Sequence, residues 1–211
     1  PWGKIDIITP SIKRTDRYRI LNSQGWTWVQ IYKNFQLPVK MRFFTYNGER
    51  DTTMSPLDSI KYYKYFMNPG FMAMDPHSGH IKAWVGGIDY KYFKYDHVNV
   101  TAKRQVGSTF KPIVYATAIL NGFSPCLKVP NVPVIFPEFD NWQPKNNDGV
   151  YGNVLTLEQG LAQSINCITA YVIKQVGPEA VVELAKKMGI TSKIDPYPSI
   201  SLGSADISVY E

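Results

Sequence analysis

From Gln105 to Leu127 the chain carries a single charged side chain, Lys111. The run "RQVGSTFKPIVYATAILNG" over 104–122 is otherwise built for burial in a helix. A lysine there is a strong constraint, because a snorkelling lysine normally sits at a helix end or an amphipathic edge. One enclosed by apolar neighbours loses hydration, which disfavours its charged form and lowers its pKa. Ser108 stands three residues earlier, one turn away on the same helical face. If the helix opens at Gly107-Ser108, Val106, Phe110, Ile113 and Val114 wall the pair from water. A neutral amine could then take the Ser108 proton as the hydroxyl attacks a carbonyl. The helix N-terminus favours a developing alkoxide, and Pro112 in the first turn forfeits no needed N–H. The spacing alone is weak: thirteen serines give about one such pair by chance at average lysine usage.

A second polar cluster, Ser164-Ile165-Asn166, lies inside the run "TLEQGLAQSINCITAYVIKQVG" over 156–177, which reads as helix. Polar groups in such a run need hydrogen-bond partners. An ordinary break between two helices accounts for them. So does a site in which Ser164 exchanges a proton with Lys111 while the Asn166 amide orients the lysine and a substrate carbonyl. Taken by themselves, the residues favour the ordinary break.

Local signals outline the rest. Residues 1–36 read as two helical pieces, "IKRTDRYRIL" ending near Gly25, then "TWVQIYKNF" with capping-box spacing at Thr27 and Gln30. Trp28, Ile31, Tyr32 and Phe35 share one face of the second. "VKMRFF" running into Asn47-Gly48 predicts a hairpin. Ser55, Pro56 and Asp58 form a helix start that Asn68-Pro69-Gly70 stops. "FMAMD" and "HIKAWVGG", joined by Pro76-His77-Ser78-Gly79, predict another hairpin over 70–87. Thr156 and Gln159 repeat the capping-box spacing, and "PEAVVELAKKMG" from Pro178 to Gly189 is a further helix. The fold class expected is α+β, an antiparallel sheet begun by the 70–87 hairpin with the 108–121 helix buried behind it.

Composition excludes some classes. With 44% hydrophobic residues the chain can bury a core, so disorder throughout is ruled out. The net charge of +6 admits an anionic partner, but the basic residues are scattered among acids, which describes a solvated surface rather than a nucleic-acid footprint. No apolar run reaches the ~20 residues that span a bilayer. The start "PWGK" rather than Met suggests a processed or excised piece. Cys126 and Cys167 lack metal-ligand spacing and admit either a disulfide or two free thiols. His77 and His80 have no third ligand nearby in the sequence, so no metal is expected.

Taken in order, these segments resemble a family. Ser-x-x-Lys opening a buried helix, then Ser-x-Asn some fifty residues on, is the signature shared by penicillin-binding transpeptidases and serine β-lactamases. "GFMAMDPHSGHIKAWVGGIDY", "AKRQVGSTFKP", "NWQPKN…YGNVLTLEQGLAQSIN" and "PSISLGSADIS" are similar to the transpeptidase domain of class A, bifunctional penicillin-binding proteins. "KRTDRYRILNSQGWTWVQIYKNFQLPVKMRFF" and "MSPLDSIKYYKYF" resemble the stretch joining glycosyltransferase and transpeptidase domains.

The resemblance implies residues 1–68 as an inter-domain linker or pedestal and 69–211 as the N-terminal portion of the transpeptidase domain. It implies that Ser108 attacks the penultimate D-Ala of a stem peptide and forms an acyl-enzyme that a neighbouring amine resolves. Lys111 would be the base, Ser164 and Asn166 would support it, and the Ser108 backbone N–H would join the oxyanion hole. β-Lactams would acylate the same serine, with no metal or organic cofactor. A parent protein would be anchored in the cytoplasmic membrane, with this region periplasmic. The family's third motif, Lys-[Thr/Ser]-Gly, does not occur in these 211 residues. The C-terminal strands are therefore expected to be missing, and the piece alone to be inactive. Two other readings use the same first motifs: a β-lactamase-type hydrolase, and a non-catalytic module that senses β-lactams or binds peptidoglycan.

Overall fold

The computed structural model describes residues 6–211, so the "PWGK" start lies outside the described residues. The described residues divide into two compact units, one formed by the chain up to residue 69 together with 88–94, the other by 70–87 and 95–211.

In the first unit, α1 (Ile8–Lys13), α2 (Asp16–Ser23) and α3 (Trp28–Gln36) precede a hairpin of β1 (Val39–Thr45) and β2 (Gly48–Met54), followed by α4 (Pro56–Tyr65). The stretch expected as one helix through "IKRTDRYRIL" is two. Thr15 adopts an extended conformation and its side chain accepts from the Tyr18 N–H, so it caps α2 and interrupts the run. The Thr27–Gln30 capping box forms as predicted. Ile31 and Phe35 of α3 are buried with Ile12 and Leu57, whereas Trp28 at the rim stays partly exposed. Gly48 closes the hairpin at φ 101°, a conformation that suits glycine. The hairpin is tied to α4 by two tyrosines: Tyr62 Oη donates to the Phe44 carbonyl at 2.8 Å, and Tyr63 Oη accepts from the Phe44 N–H at 3.1 Å. Phe44 then packs edge-on against Phe66 and Phe93.

In the second unit, β3 (Phe71–Met74) and β4 (Ile81–Val85) form the predicted hairpin, followed by β5 (Arg104–Gln105). A 3₁₀ turn (Gly107–Phe110) runs into α5 (Lys111–Leu120). Then come β6 (Lys128–Pro130), β7 (Val154–Thr156), α6 (Leu157–Ala162), α7 (Asn166–Val176) and α8 (Pro178–Lys187). Further 3₁₀ turns lie at Pro137–Phe139 and at Pro198–Leu202, the latter leading to β8 (Asp206–Ile207). The α+β class holds, with the antiparallel pairing in this unit confined to short two-stranded pieces. β3 pairs with β4, β5 with β8 and β6 with β7, and none gains a third strand among the described residues. The apolar core is helical: Val114 and Ala118 of α5, Ile168, Val172 and Ile173 of α7, and Val181 and Ala185 of α8 are fully buried. Gly160 permits a close approach here, since a Cβ on it would lie 2.6 Å from Ile168 Cγ2. Both cysteines are free, Cys126 exposed and Cys167 buried. Among the described residues no helix is long and apolar enough to cross a membrane.

Candidate active site

Lys111 is the first residue of α5 and is only 1% exposed. Its Nζ donates to the Ser164 carbonyl at 2.7 Å, to Ser164 Oγ at 3.0 Å and to Asn166 Oδ1 at 2.7 Å. Three acceptors match the three protons of an ammonium. All are neutral dipoles, so no counter-charge offsets the loss of water. Burial lowers the Lys111 pKa from 10.5 to about 8. Roughly one molecule in ten then holds a neutral amine at pH 7, against a vanishing fraction for a solvated lysine.

The acceptors come from a break in the predicted 156–177 helix. α6 ends at Ala162, and Ser164 takes a left-handed φ of 56° before α7 begins at Asn166. The Ser164 and Ile165 N–H groups bond back to the Leu161 and Gly160 carbonyls at 3.0 and 2.9 Å, a turn that satisfies the helix end. This turn presents both the carbonyl and the hydroxyl of Ser164 to Lys111. A left-handed non-glycine residue costs about 1–2 kcal/mol and persists where its surroundings over-determine it. Asn166, at the head of α7, directs Oδ1 at Lys111 while its Nδ2 donates to the Lys145 carbonyl at 2.8 Å.

Ser108 lies in the 3₁₀ turn, not in the α-helix proper, and is exposed. Residues three apart eclipse in a 3₁₀ turn, so Ser108 and Lys111 remain on one face. The Ser108 hydroxyl makes no hydrogen bond with a described residue. The three residues that meet are therefore Lys111, Ser164 and Asn166, with Ser108 one turn before the lysine in the chain. Its turn is fixed from behind: Gly107 N–H donates to the Gly203 carbonyl at 3.0 Å and Val106 N–H to the Ala205 carbonyl at 3.1 Å. The fit is so close that a Cβ on Gly203 would lie 1.8 Å from the Gly107 carbonyl oxygen. The sequence reading missed Gly203 and the Lys145 carbonyl, because neither a close backbone approach nor a backbone acceptor leaves a mark in composition.

Comparison with known proteins identifies the family. The penicillin-binding protein middle domain matches residues 1–67, and the penicillin-binding protein transpeptidase domain matches residues 69–196. Penicillin-binding protein 2D of Bacillus subtilis (strain 168) is 36% identical over 146 residues, covering 67% of this chain and 21% of its own length. Penicillin-binding protein 1A of Aquifex aeolicus (strain VF5) is 38% identical over 141 residues, covering 65% of this chain and 19% of its own. The chain thus spans about a fifth of the length of these curated relatives. The crystal structure of penicillin-binding protein 1A from Haemophilus influenzae superposes with a TM-score of 0.62 at 25% identity, over 79% of this chain and 24% of that one. PonA1 from Mycobacterium tuberculosis in complex with penicillin V shares the fold, with a TM-score of 0.59 at 19% identity over 96% of this chain and 56% of that one. These two domain matches, which together cover most of the chain, lead to one assignment: the chain belongs to the penicillin-binding protein transpeptidase family, with the family's middle domain preceding the transpeptidase region.

Proposed function

We propose that the chain is part of a class A penicillin-binding protein that cross-links peptidoglycan as a serine D,D-transpeptidase. Residues 1–68 would be the segment after a glycosyltransferase domain and 69–211 the first part of the transpeptidase domain, held outside the cytoplasmic membrane by an anchor elsewhere in the protein. The observation that carries this reading is the 1%-exposed Lys111, bonded only to neutral acceptors of Ser164 and Asn166.

Ser108 Oγ forms the bond to the penultimate D-Ala carbonyl carbon, and its proton passes to the Lys111 amine. The tetrahedral oxyanion is stabilised in part by the Ser108 backbone N–H. Collapse breaks the peptide bond, and the terminal D-Ala leaves as an amine carrying a proton supplied through Lys111, with Ser164 as the relay. An amine of a second stem peptide then attacks the acyl-enzyme, returning the proton to Ser108. A β-lactam would acylate Ser108 by the same attack and remain, because its leaving group stays tethered.

The test is labelling with a fluorescent penicillin in a longer protein that includes this chain. A stable, stoichiometric adduct abolished by Ser108→Ala is expected. Rapid turnover of the adduct would instead make it a hydrolase, and a stable adduct without cross-linking of lipid-linked substrate would make it a sensor. A polypeptide of these 211 residues alone, which contains no Lys-[Thr/Ser]-Gly, is expected to label poorly.

A further inference from the structure

The Asn166 amide can face Lys111 either way round, and only one orientation gives the ammonium an acceptor. The Lys145 carbonyl selects it, because it accepts from Asn166 Nδ2 at 2.8 Å and leaves Oδ1 for Lys111. A flip would set Nδ2 against the ammonium and Oδ1 against a carbonyl, two repulsive contacts in place of two hydrogen bonds. The Lys145 carbonyl belongs to an irregular loop, so something must hold it there.

Asn146 does this. It is buried, and its Oδ1 accepts the Cys167 N–H at 3.0 Å. That N–H is one of the unpaired donors of the first turn of α7, whose own N-cap, Ile165, has no side chain able to cap it. Asn146 therefore caps α7 from 21 residues upstream. Its Nδ2 donates to Asn131 Oδ1 at 2.7 Å and to the Val150 carbonyl at 2.8 Å. Asn131, 1% exposed, is anchored in turn by Nδ2 bonds to Asn153 Oδ1 and the Val150 carbonyl at 2.8 and 3.1 Å. Both buried amides have their side-chain oxygen and nitrogen engaged, so the pair is rigid in one register.

We propose that Asn146, backed by Asn131, is a positioning residue that docks the 144–146 segment on the first turn of α7 and thereby fixes which end of the Asn166 amide meets Lys111. The consequence for acylation rests on the transpeptidase reading; the orientation itself does not. Other titratable or charged groups border the loop: the Cys167 thiol, pushed up by burial; Asp148, whose charge reinforces that rise; Lys145; and Tyr151, whose hydroxyl accepts the Asn146 N–H at 3.2 Å. None of them hydrogen-bonds Lys111.

The test is an NMR titration of the Lys111 Cε group in the full chain, without substrate, in wild type, Asn166→Ala, Asn146→Ala and Asn131→Ala. Removing the Asn166 acceptor should lower the Lys111 midpoint by about one unit, a tenfold drop in proton affinity. Asn146→Ala should reproduce more than half of that drop although it touches Lys111 nowhere, and Asn131→Ala a smaller drop of the same sign. A variant that only loosened the fold would lower the melting temperature without moving the midpoint. A folded Asn146→Ala protein with a wild-type midpoint overturns the proposal, as does an Asn166→Ala protein with one. Should Asn146→Ala fail to fold, Asn131→Ala decides by the same criterion. Penicillin labelling plays no part in this readout, so the proposal can fail while the transpeptidase reading stands, and the reverse.

Discussion

Lys111 Nζ and Asn166 Oδ1 are 2.7 Å apart although 55 residues separate them in the chain. The bond joins the head of α5 to the head of α7, two helices packed through Val114, Ala118, Ile168 and Val172. Packing of these apolar faces is what brings the two polar residues within reach, and it also removes the water that would otherwise solvate the ammonium. The same burial that makes Lys111 expensive to charge thus leaves part of its amine neutral near pH 7.

Lys111 should cost stability at neutral pH and less in alkali. Its folded pKa, about 8, lies below the ordinary 10.5, so between these values the unfolded chain holds the proton more tightly than the folded one. Stability relative to a Lys111→Met protein should therefore rise from pH 8 to 10.5, by about 3 kcal/mol in all, and be level below pH 8. Urea denaturation of both proteins across this range measures the difference, and a difference constant with pH would refute the assignment.

Gly203→Ala should be among the most damaging single-methyl changes in the second unit. The added Cβ would meet backbone 1.8 Å away, and the residue sits at φ 73°. A loss above about 3 kcal/mol is expected. Gly107→Ala is the control, at φ 58° with open space around its Cβ, and should lose only about 1 kcal/mol. Equal midpoints of chemical unfolding for the two variants would contradict this account.

The Glu211 carboxylate should lock the 190–192 and 206–211 segments together above pH 5 and release them in acid. Burial pushes its pKa up, but hydrogen bonds from Ser192, Thr191 and Ser208 outweigh burial and hold it well below the usual carboxylate range. A depressed folded pKa gives stability that is present above the ordinary value of 4.5 and lost as pH falls below it. Amide exchange at Thr191 and Ser192 should accelerate in Glu211→Gln at pH 7, and the variant should approach wild type as pH is lowered. Unchanged exchange at pH 7 would remove the latch.

Thr156→Ala should cost about 1 kcal/mol, because the Thr156 hydroxyl accepts the Gln159 N–H at 3.1 Å and Gln159 Oε1 accepts the Thr156 N–H at 2.9 Å. Thermal unfolding of Thr156→Ala beside Thr156→Ser separates the cap from the methyl group: the serine variant should keep most of the stability, and equal losses would assign the effect to packing.

The local chemistry of the chain was legible in its sequence because the causes are local. Thr27 with Gln30, Thr156 with Gln159, Ser55 with Pro56, and Asn47-Gly48 each act through groups within a turn of one another, and each does in the structure what its spacing predicts. Lys111 marked the site for a related reason, since one charge in a buried helix demands partners wherever they lie. Tertiary structure decided what those partners are. Nothing local to Ser164 forces its left-handed turn, which depends on α6 and α7 packing as separate helices. Nothing near Asn146 in sequence says that it caps α7, nor does Gly203 announce that it must lie against Gly107. These contacts join segments 20 to 100 residues apart, where pairing is set by the shape of the whole core and not by the propensity of either segment.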